Sequence, residues 1–342
     1  MAHMFSRGTR ILFIAALALI ASCKEDTGKG ENKEATTGTA RKGRIADRVN
    51  IVQIPLTAAE LGLKGKVKDV EYTEYLPMMQ GGEQIKRVME SGHNIYDEQG
   101  RLVDQSVLES GQVPRLKCVY AYTTDNKREA WHFQFFDRNE ESHYRFEYGP
   151  TGNLVSETEI NGKEQQVSRK EYAYDEQGNL AETRLYDGKG KLERIETSEY
   201  DKQGNQVAAI YKNGDGTTSY RMTATYDARG YKTSGADYRG DSLDTRWERK
   251  NNDNGQATEM IMYNKEGKII GKTSFKYDKM GNEIEVVDEY DGKTTRSTST
   301  YEYDAAGNVT RQVDYELQEG KPVPIREIET KYTYHGATPG AQ

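Results

Sequence analysis

The most aromatic stretch of the chain carries two histidines and is the first place where the sequence could do chemistry. It runs from Trp131 to Phe136 and resumes as Ser142-His143-Tyr144. Imidazoles bind metal ions and aromatic rings anchor ligands, so this stretch could form a metal site or a ligand surface. The histidine spacing matches no metal-ligand motif, and we predict no metal. The candidate ligand surface comprises Trp131, His132, Phe135, His143 and Tyr144. The alternative is that these aromatic side chains fill the inner face of a sheet.

Carboxylates are the second candidate, because two of them at a set separation can hydrolyse a glycosidic bond. Acids such as Glu157, Glu171 and Glu196 are plentiful, but they alternate with lysines and arginines, as on a solvated face. The sequence contains no glycine-rich phosphate loop and no nucleophile elbow. We therefore predict that the protein is not an enzyme and needs no cofactor. A glycoside-acting enzyme is a less favoured alternative.

One hexapeptide, Tyr-Asp-x-x-Gly-Asn, organises most of the chain. It begins at Tyr174, Tyr200, Tyr277 and Tyr303, and looser copies begin at Tyr96, Tyr148 and Tyr226. From Tyr96 to Tyr226 a tyrosine recurs every 26 residues. A fixed period of this length predicts a repeat architecture.

The hexapeptide fits a hairpin loop made of a type I turn followed by a glycine in the left-handed region. The aspartate can accept hydrogen bonds from turn amides, and glycine is needed where φ is positive. In this register Tyr174 faces Leu180 across the hairpin. The predicted structural turn residues are Asp175, Gly178, Asp201, Gly204, Asp278, Gly281, Asp304 and Gly307.

A second, weaker series of turns lies halfway between these. Asn161-Gly162, Asn213-Gly214 and Asp291-Gly292 belong to it, and such dipeptides favour type I′ turns with two residues at positive φ. The residues between turns alternate as in half-buried antiparallel strands. We predict an all-β fold, an array of antiparallel β-hairpin repeats of about 26 residues each. They form one elongated, twisted, curling or partly rolled sheet.

On these residues the chain resembles the YD-repeat (RHS-repeat) family, whose motif is Tyr-Asp-x-x-Gly-Asn followed by a short strand. The resemblance covers most of residues 61–334 and implies hairpins that line up side by side in one long sheet. The largest family members enclose a toxin in a closed shell, for which this chain looks too short. The array is therefore expected to end in a strand, near Tyr332 and Tyr334, that has a neighbour on one side only.

Residues 1–22 have the features of a signal peptide, because Arg7 and Arg10 precede an apolar core too short to remain as a membrane helix. The core ends in Ile20-Ala21-Ser22-Cys23, which resembles a bacterial lipobox. The resemblance implies that Cys23 becomes the lipidated first residue, and the alternative is an ordinary secretory signal. Lys24-Glu25-Asp26 resembles the export signal of surface lipoproteins of Gram-negative bacteria. Together they imply an outer-membrane lipid anchor at the cell surface, with the periplasmic face as the alternative.

We divide the chain into five segments. After the signal peptide (1–22), residues 23–44 comprise the lipidated cysteine and a polar, disordered tether. Residues 45–60 lead into the fold, and Thr57-Ala58-Ala59-Glu60 matches a capping box for one helical turn. Residues 61–334 form the repeat domain, and 335–342 are expected to be a flexible tail.

Composition limits the function and the type of core. The net charge of −7 becomes −9 when residues 1–22, with their two arginines, are removed, which argues against nucleic acid as a partner. A mean hydropathy of −0.93 disfavours a two-layer core, whereas 24 tyrosines fit a single-layer sheet. Cys118 is expected to be a buried strand thiol.

We therefore predict a surface-displayed, lipid-anchored module that binds an unidentified protein or glycan partner, or serves a structural role. It is expected to be a monomer. An accessory glycan-capture lipoprotein of a nutrient-uptake system is the alternative, and a toxin-associated or immunity protein is less favoured.

Overall fold

The computed structural model describes residues 57–336, which form an all-β sheet of 20 antiparallel strands. This confirms the predicted fold class and hairpin array. Among these residues no helix is long and apolar enough to cross a membrane. The strands are β1 (Val67–Gln80), β2 (Glu83–Tyr96), β3 (Leu102–Glu109), β4 (Val113–Tyr122), β5 (Arg128–Phe135), β6 (Glu140–Tyr148), β7 (Leu154–Asn161), β8 (Gln166–Tyr174), β9 (Leu180–Asp187), β10 (Leu192–Tyr200), β11 (Gln206–Asn213), β12 (Thr218–Tyr226), β13 (Lys232–Arg239), β14 (Ser242–Asn251), β15 (Ala257–Asn264), β16 (Ile269–Tyr277), β17 (Glu283–Tyr290), β18 (Lys293–Tyr303), β19 (Val309–Gln318) and β20 (Lys321–Tyr334).

The sheet is closed, because β1 pairs with β20 as well as with β2. Consecutive strands are neighbours, and the register between the two end strands runs from Val67 opposite Tyr334 to Tyr75 opposite Glu327. The expectation of a last strand with a single neighbour, in a chain too short to close, is therefore wrong. Pairing the end strands satisfies N–H and C=O groups that an open sheet would leave unpaired at its edges.

Charged residues hold the seam between β1 and β20 on both faces of the sheet. On one face Glu327, only 4% exposed, accepts hydrogen bonds from Lys86 at 2.6 Å and from Arg311 at 2.7 Å. On the other face Arg326 pairs with Glu74 at 2.7 Å. None of these residues belongs to the hexapeptide, so closure depends on sequence that the repeat does not supply.

The segment 57–66 lies along the sheet end where chain turns from β2 to β3 and from β18 to β19. Thr57 and Glu60 form the matched capping box, because the Thr57 N–H donates to Glu60 at 3.0 Å and the Glu60 N–H to Thr57 Oγ1 at 3.2 Å. The segment donates one backbone hydrogen bond to Gly100 and exchanges two between Lys64 and Asn308. It therefore joins two turns that lie on opposite sides of the seam.

The start of the expected flexible tail is held by hydrogen bonds. The His335 N–H donates to the Lys66 carbonyl at 2.8 Å, and its Nε2 lies 3.0 Å from the Tyr96 carbonyl. Residues 337–342 lie outside the described residues. The tail prediction therefore needs correction at its first residue, which contacts both the lead-in segment and β2.

The turns lie at two ends of the sheet: a YD end, after the even-numbered strands, and a half-turn end, after the odd-numbered ones. At the half-turn end Asp291 and Gly292 have φ of 50° and 70°, as a type I′ turn requires. At Asn161-Gly162 and Asn213-Gly214 the type I′ prediction is wrong, since the positive φ lies at Glu164 and Gly216. These two loops use the longer turn of the hexapeptide. Gly214 is needed for close approach, because a Cβ there would lie 2.0 Å from the Leu192 carbonyl oxygen.

Side chains alternate between an inner face, which carries Cys118, Trp131 and Tyr144, and an outer face. The inner face of β1–β6 holds a continuous apolar cluster. Cys118 is fully buried there, as predicted, and burial raises the pKa of its thiol. The inner face of β13–β17 is more open, with partly exposed apolar side chains such as Met260 and Met262.

Candidate functional site

The four hexapeptide turns share one geometry. The φ angles of Gly178, Gly204, Gly281 and Gly307 are 86°, 82°, 85° and 87°. In the first turn, Asp175 Oδ1 accepts hydrogen bonds from the N–H groups of Gln177 at 3.0 Å and Asn179 at 2.8 Å. Tyr174 pairs with Leu180 across the hairpin. The turn is the one that the sequence predicts.

The turn aspartates serve the backbone. Hydrogen bonds from the Asn179 side chain and from turn amides hold the pKa of Asp175 below its usual value. The same arrangement with Asn205 lowers the pKa of Asp201. At Asp278 and Asp304 the carboxylate also accepts a hydrogen bond from a tyrosine of a later strand, Tyr303 or Tyr334 respectively. Carboxylates engaged in this way are structural groups and poor candidates for a general acid or base.

The tyrosine before each turn makes a hydrogen bond that the sequence did not predict. Its hydroxyl donates, at 2.7 to 3.0 Å, to the carbonyl of the residue that begins the preceding strand, 20 positions earlier. The pairs are Tyr122 with Leu102, Tyr148 with Arg128, Tyr174 with Leu154, Tyr200 with Leu180, Tyr226 with Gln206, and Tyr277 with Ala257. The strand register shifts at these tyrosines, so the hydroxyls serve carbonyls where the ladder is irregular. The tyrosine period therefore reports architecture, not a binding site.

The five residues of the predicted ligand surface do not share one face. Trp131, Phe135 and Tyr144 lie on the inner face and are 2%, 6% and 4% exposed. The Trp131 ring contacts those of Phe146 and Tyr120, with centroids 4.7 and 5.6 Å apart. His132 and His143 pair with each other on the outer face. The aromatic rings thus fill the inner face, and the histidines stand apart from them.

The other tryptophan lies on a more open surface. Trp247 is partly exposed on the inner face of β14, in a row that crosses β13–β17 and comprises Gly235, Trp247, Met262, Gly271 and Tyr290. A Cβ on Gly235 would lie 2.4 Å from the Trp247 ring, so the ring covers that glycine. Tyr290 covers Gly271 in the same manner and is 49% exposed. We call Trp247, Met262 and Tyr290 the platform.

Fixed polar groups border the platform. Asp237 accepts hydrogen bonds from the Tyr220 hydroxyl at 2.5 Å and from Thr245 Oγ1 at 3.0 Å. Burial raises the pKa of Tyr220, which keeps its hydroxyl protonated as the donor. On the other side Arg249 donates to Asn251 and to the Gly255 carbonyl. An apolar, aromatic surface with a few oriented polar groups is typical of small-ligand sites.

The sequence analysis missed the platform, although a signal for it was present. Gly235 lies inside a strand, where glycine is unfavourable unless another group approaches closely. Trp247 lies 12 residues later, directly opposite on the next strand. A strand glycine that pairs with an aromatic residue across a hairpin is therefore the pattern to look for.

The residues of the predicted anchor lie outside the described part of the chain. They are Ile20, Ala21, Ser22 and Cys23 of the lipobox, and Lys24, Glu25 and Asp26 of the export signal. Their roles stay predictions.

Comparisons with known proteins give a family and only distant structural likenesses. No curated protein matches the chain. A porin-like protein from Bacteroides uniformis is 13% identical, and the alignment covers 82% of this chain and 99% of that one, with a TM-score of 0.37. The Tc holotoxin pore of Photorhabdus luminescens is 11% identical, with 74% of this chain and 18% of that one covered and a TM-score of 0.36. A complex described as TcdB2-TccC3-Cdc42 is 12% identical, with 79% and 16% covered and a TM-score of 0.38. The chain thus spans less than a fifth of these toxin chains, and at such scores the likenesses carry no argument about function.

The family model described as RHS Repeat matches residues 277–316. That range contains two of the four hexapeptides, and the other two form the same turn with the same glycine geometry. The chain is therefore a YD-repeat (RHS-repeat) protein.

Proposed function

We propose that the protein is a non-catalytic binding module whose ligand is a glycan that stacks on the platform. The observation that carries this proposal is the Trp247 ring, which covers Gly235 and is partly exposed on the inner face. Aromatic faces can stack on the C–H groups of a sugar ring, while bordering groups such as Asp237 and Thr245 hydrogen-bond its hydroxyls. A protein partner that uses the same platform is the competing interpretation.

The inner carboxylates support a binding role over a catalytic one. Asp237 is held by Tyr220 and Thr245. Glu157 is 2% exposed and is held by Tyr172 at 3.2 Å and Lys170 at 3.4 Å. Carboxylates committed to neighbouring strands in this way are structural parts of the sheet, so the proposal includes no catalytic residue and no cofactor.

A glycan array followed by titration of the full chain tests the ligand class. Trp247→Ala should weaken binding by about tenfold or more, because the stacking surface is lost. The matched control is Tyr263→Ala, which removes a ring from the outer face of the adjacent strand, where Arg246 lies 4.3 Å from the ring centroid. Equal binding by the Trp247 variant and the parent would refute the site. If no glycan binds but a protein partner is lost from pull-downs with Trp247→Ala, the competing interpretation is correct.

We further propose that Cys23 carries a lipid anchor in the outer membrane and that Lys24-Glu25-Asp26 directs the protein to the cell surface. The support is the lipobox at Ile20-Ala21-Ser22-Cys23 after an apolar core. Cys23→Ala should leave the signal unprocessed or release soluble protein, which membrane fractionation measures. Alanines at 24–26 should keep the anchor but remove access to external protease. Unchanged membrane association of the Cys23 variant would contradict the anchor.

We also propose that the protein is a monomer that does not bind nucleic acid. In residues 57–336 the closed sheet pairs both end strands, so the usual route to association by strand addition is blocked. The net charge of −7 disfavours nucleic acid. Light scattering of the full chain measures the oligomeric state, and a stable dimer would refute this assignment.

A further inference from the structure

The two outer-face histidines of the β5–β6 hairpin form a pair that the proposed glycan site does not use. His132 and His143 are directly opposite each other, with their Nδ1 atoms 3.0 Å apart and their ring centroids 4.4 Å apart. Both side chains are partly buried. In the same row the neighbours on the adjoining strands are Val119 and Ile160, so no opposite charge faces the pair.

The other two described histidines have oxygen partners. His93 Nε2 lies 3.3 Å from Asp69 Oδ1, and His335 Nε2 lies 3.0 Å from the Tyr96 carbonyl. In the pair, by contrast, two Nδ1 atoms face each other. Only one of them can carry the hydrogen between them, and when neither does, both nitrogens are free to bind a cation.

We infer that His132 and His143 form a two-imidazole site for a tetragonal divalent transition metal, with Cu(II) preferred over Ni(II). Imidazole binds such metals at about 2.0–2.1 Å. Two nitrogens 3.0 Å apart then subtend an angle of about 94° at the metal. This is close to the roughly 90° of adjacent ligands in square-planar or tetragonal sites and smaller than the roughly 109° of a tetrahedral zinc site. Cu(II) has the highest affinity of these ions for nitrogen ligands.

The fold holds the pair in place before a metal binds. Strand pairing sets the separation of the two residues, and the buried inner-face rings of Trp131 and Tyr144 fix the same two strands from behind. Within residues 57–336 no group of three or more histidine, cysteine, aspartate or glutamate side chains is gathered for a metal. The site therefore supplies two ligands, and water completes the coordination.

The test uses the full chain with Cu(II) as the probe. His3→Ala is placed in every variant, because a free amino terminus followed by histidine at position 3 itself binds Cu(II). Calorimetry should show one site per chain, and electron paramagnetic resonance should show hyperfine coupling to two imidazole nitrogens. His132→Gln and His143→Gln should each weaken binding by about tenfold or more. The matched control, His93→Gln, should bind like the parent.

Three results would overturn the inference: no Cu(II) binding by the parent, equal affinity in the His132 and His143 variants, or tighter binding of Zn(II) than of Cu(II). Circular dichroism shows whether each glutamine variant folds. If one does not, the asparagine variant at the same position replaces it, and for a folded parent the spectrum alone, with one nitrogen or two, still decides the question.

Discussion

Two regions of the same sheet solve the problem of stability differently. On β1–β6 the inner face packs into one apolar cluster, in which Trp131 and Phe133 are 2% and 1% exposed. On β7–β18 the described core cluster is small and centres on Ala209 and Tyr211. There the repeat relies on turn aspartates, on tyrosine hydroxyls that donate to carbonyls, and on cross-strand pairs such as Tyr172 with Glu157.

The difference shows what regularity costs. A repeat that keeps the same bonds in every unit leaves its inner face thin and partly exposed, which is where the platform lies. The irregular strands bury more apolar surface, and they also supply the seam. Stability should therefore be concentrated in β1–β6 and around the seam, while β13–β17 remains available for a ligand.

The largest effect should come from removing the centre of the apolar cluster. Trp131→Ala should destabilise the protein by about 3–5 kcal/mol, because it leaves a cavity among buried rings. The partly exposed Trp247→Ala is the comparison and should cost about 1–2 kcal/mol. Chemical denaturation of both variants measures the two values. Equal losses would contradict the proposed contrast between the regions.

The seam should be the next most sensitive place. Glu327→Ala leaves Lys86 and Arg311 without their shared buried acceptor and should cost about 2 kcal/mol, less than a fully buried pair because both cations are partly exposed. Glu302→Ala is a matched control, since Glu302 also pairs with Arg311 at 2.8 Å but is 63% exposed. It should cost under about 0.5 kcal/mol. Hydrogen exchange should rise first in β1 and β20 of the Glu327 variant, and unchanged protection there would argue against the seam's role.

A turn in the regular region should come third. Gly204→Val forces a branched side chain into φ of 82° and should destabilise by about 1–2 kcal/mol. Exposed Lys202 lies in the same turn, and its alanine variant should change stability by under about 0.5 kcal/mol. Thermal melts of the two variants test this, and similar losses would mean that the turn geometry is not what glycine provides.

The smallest effect concerns pH. The folded-state pKa of Asp201 is lowered, so its carboxylate stabilises the fold above its unfolded pKa of about 3.9. That contribution is lost as the pH falls through the lower, folded value. Asp201→Asn should keep the turn, because Asn252 accepts the same two amide bonds in its own turn. The melting temperature of this variant should fall less steeply than that of the parent below about pH 4. Parallel profiles would show that the turn acid does not contribute.

The sequence predicts the local structure well and the long-range structure poorly. The hexapeptide turns and the capping box follow from residues within four positions of each other. Closure does not, because β1 and β20 are joined by residues such as Glu74 and Arg326, which are far apart in the chain and belong to no repeat. An open array was the natural expectation from identical units.

The candidate sites depend on which residues face each other across hairpins. His132 and His143 are adjacent because the loop after Phe135 sets their register, and no metal-ligand motif records that register. Trp131 and Tyr144 share the same two strands but point to the other face, since neighbouring positions alternate. A one-residue difference in register thus separates the core from the outer surface.

Each repeat contributes two strands, and this parity has an evolutionary consequence. Duplication or loss of one unit of about 26 residues changes the number of strands by two, so the first and last strands would still run antiparallel and meet in the same register. The circumference of the sheet can therefore grow or shrink in whole units without any change to the residues at the seam. Gain of a single strand would leave the two ends parallel, and the ring could not be joined by the bonds that now close it.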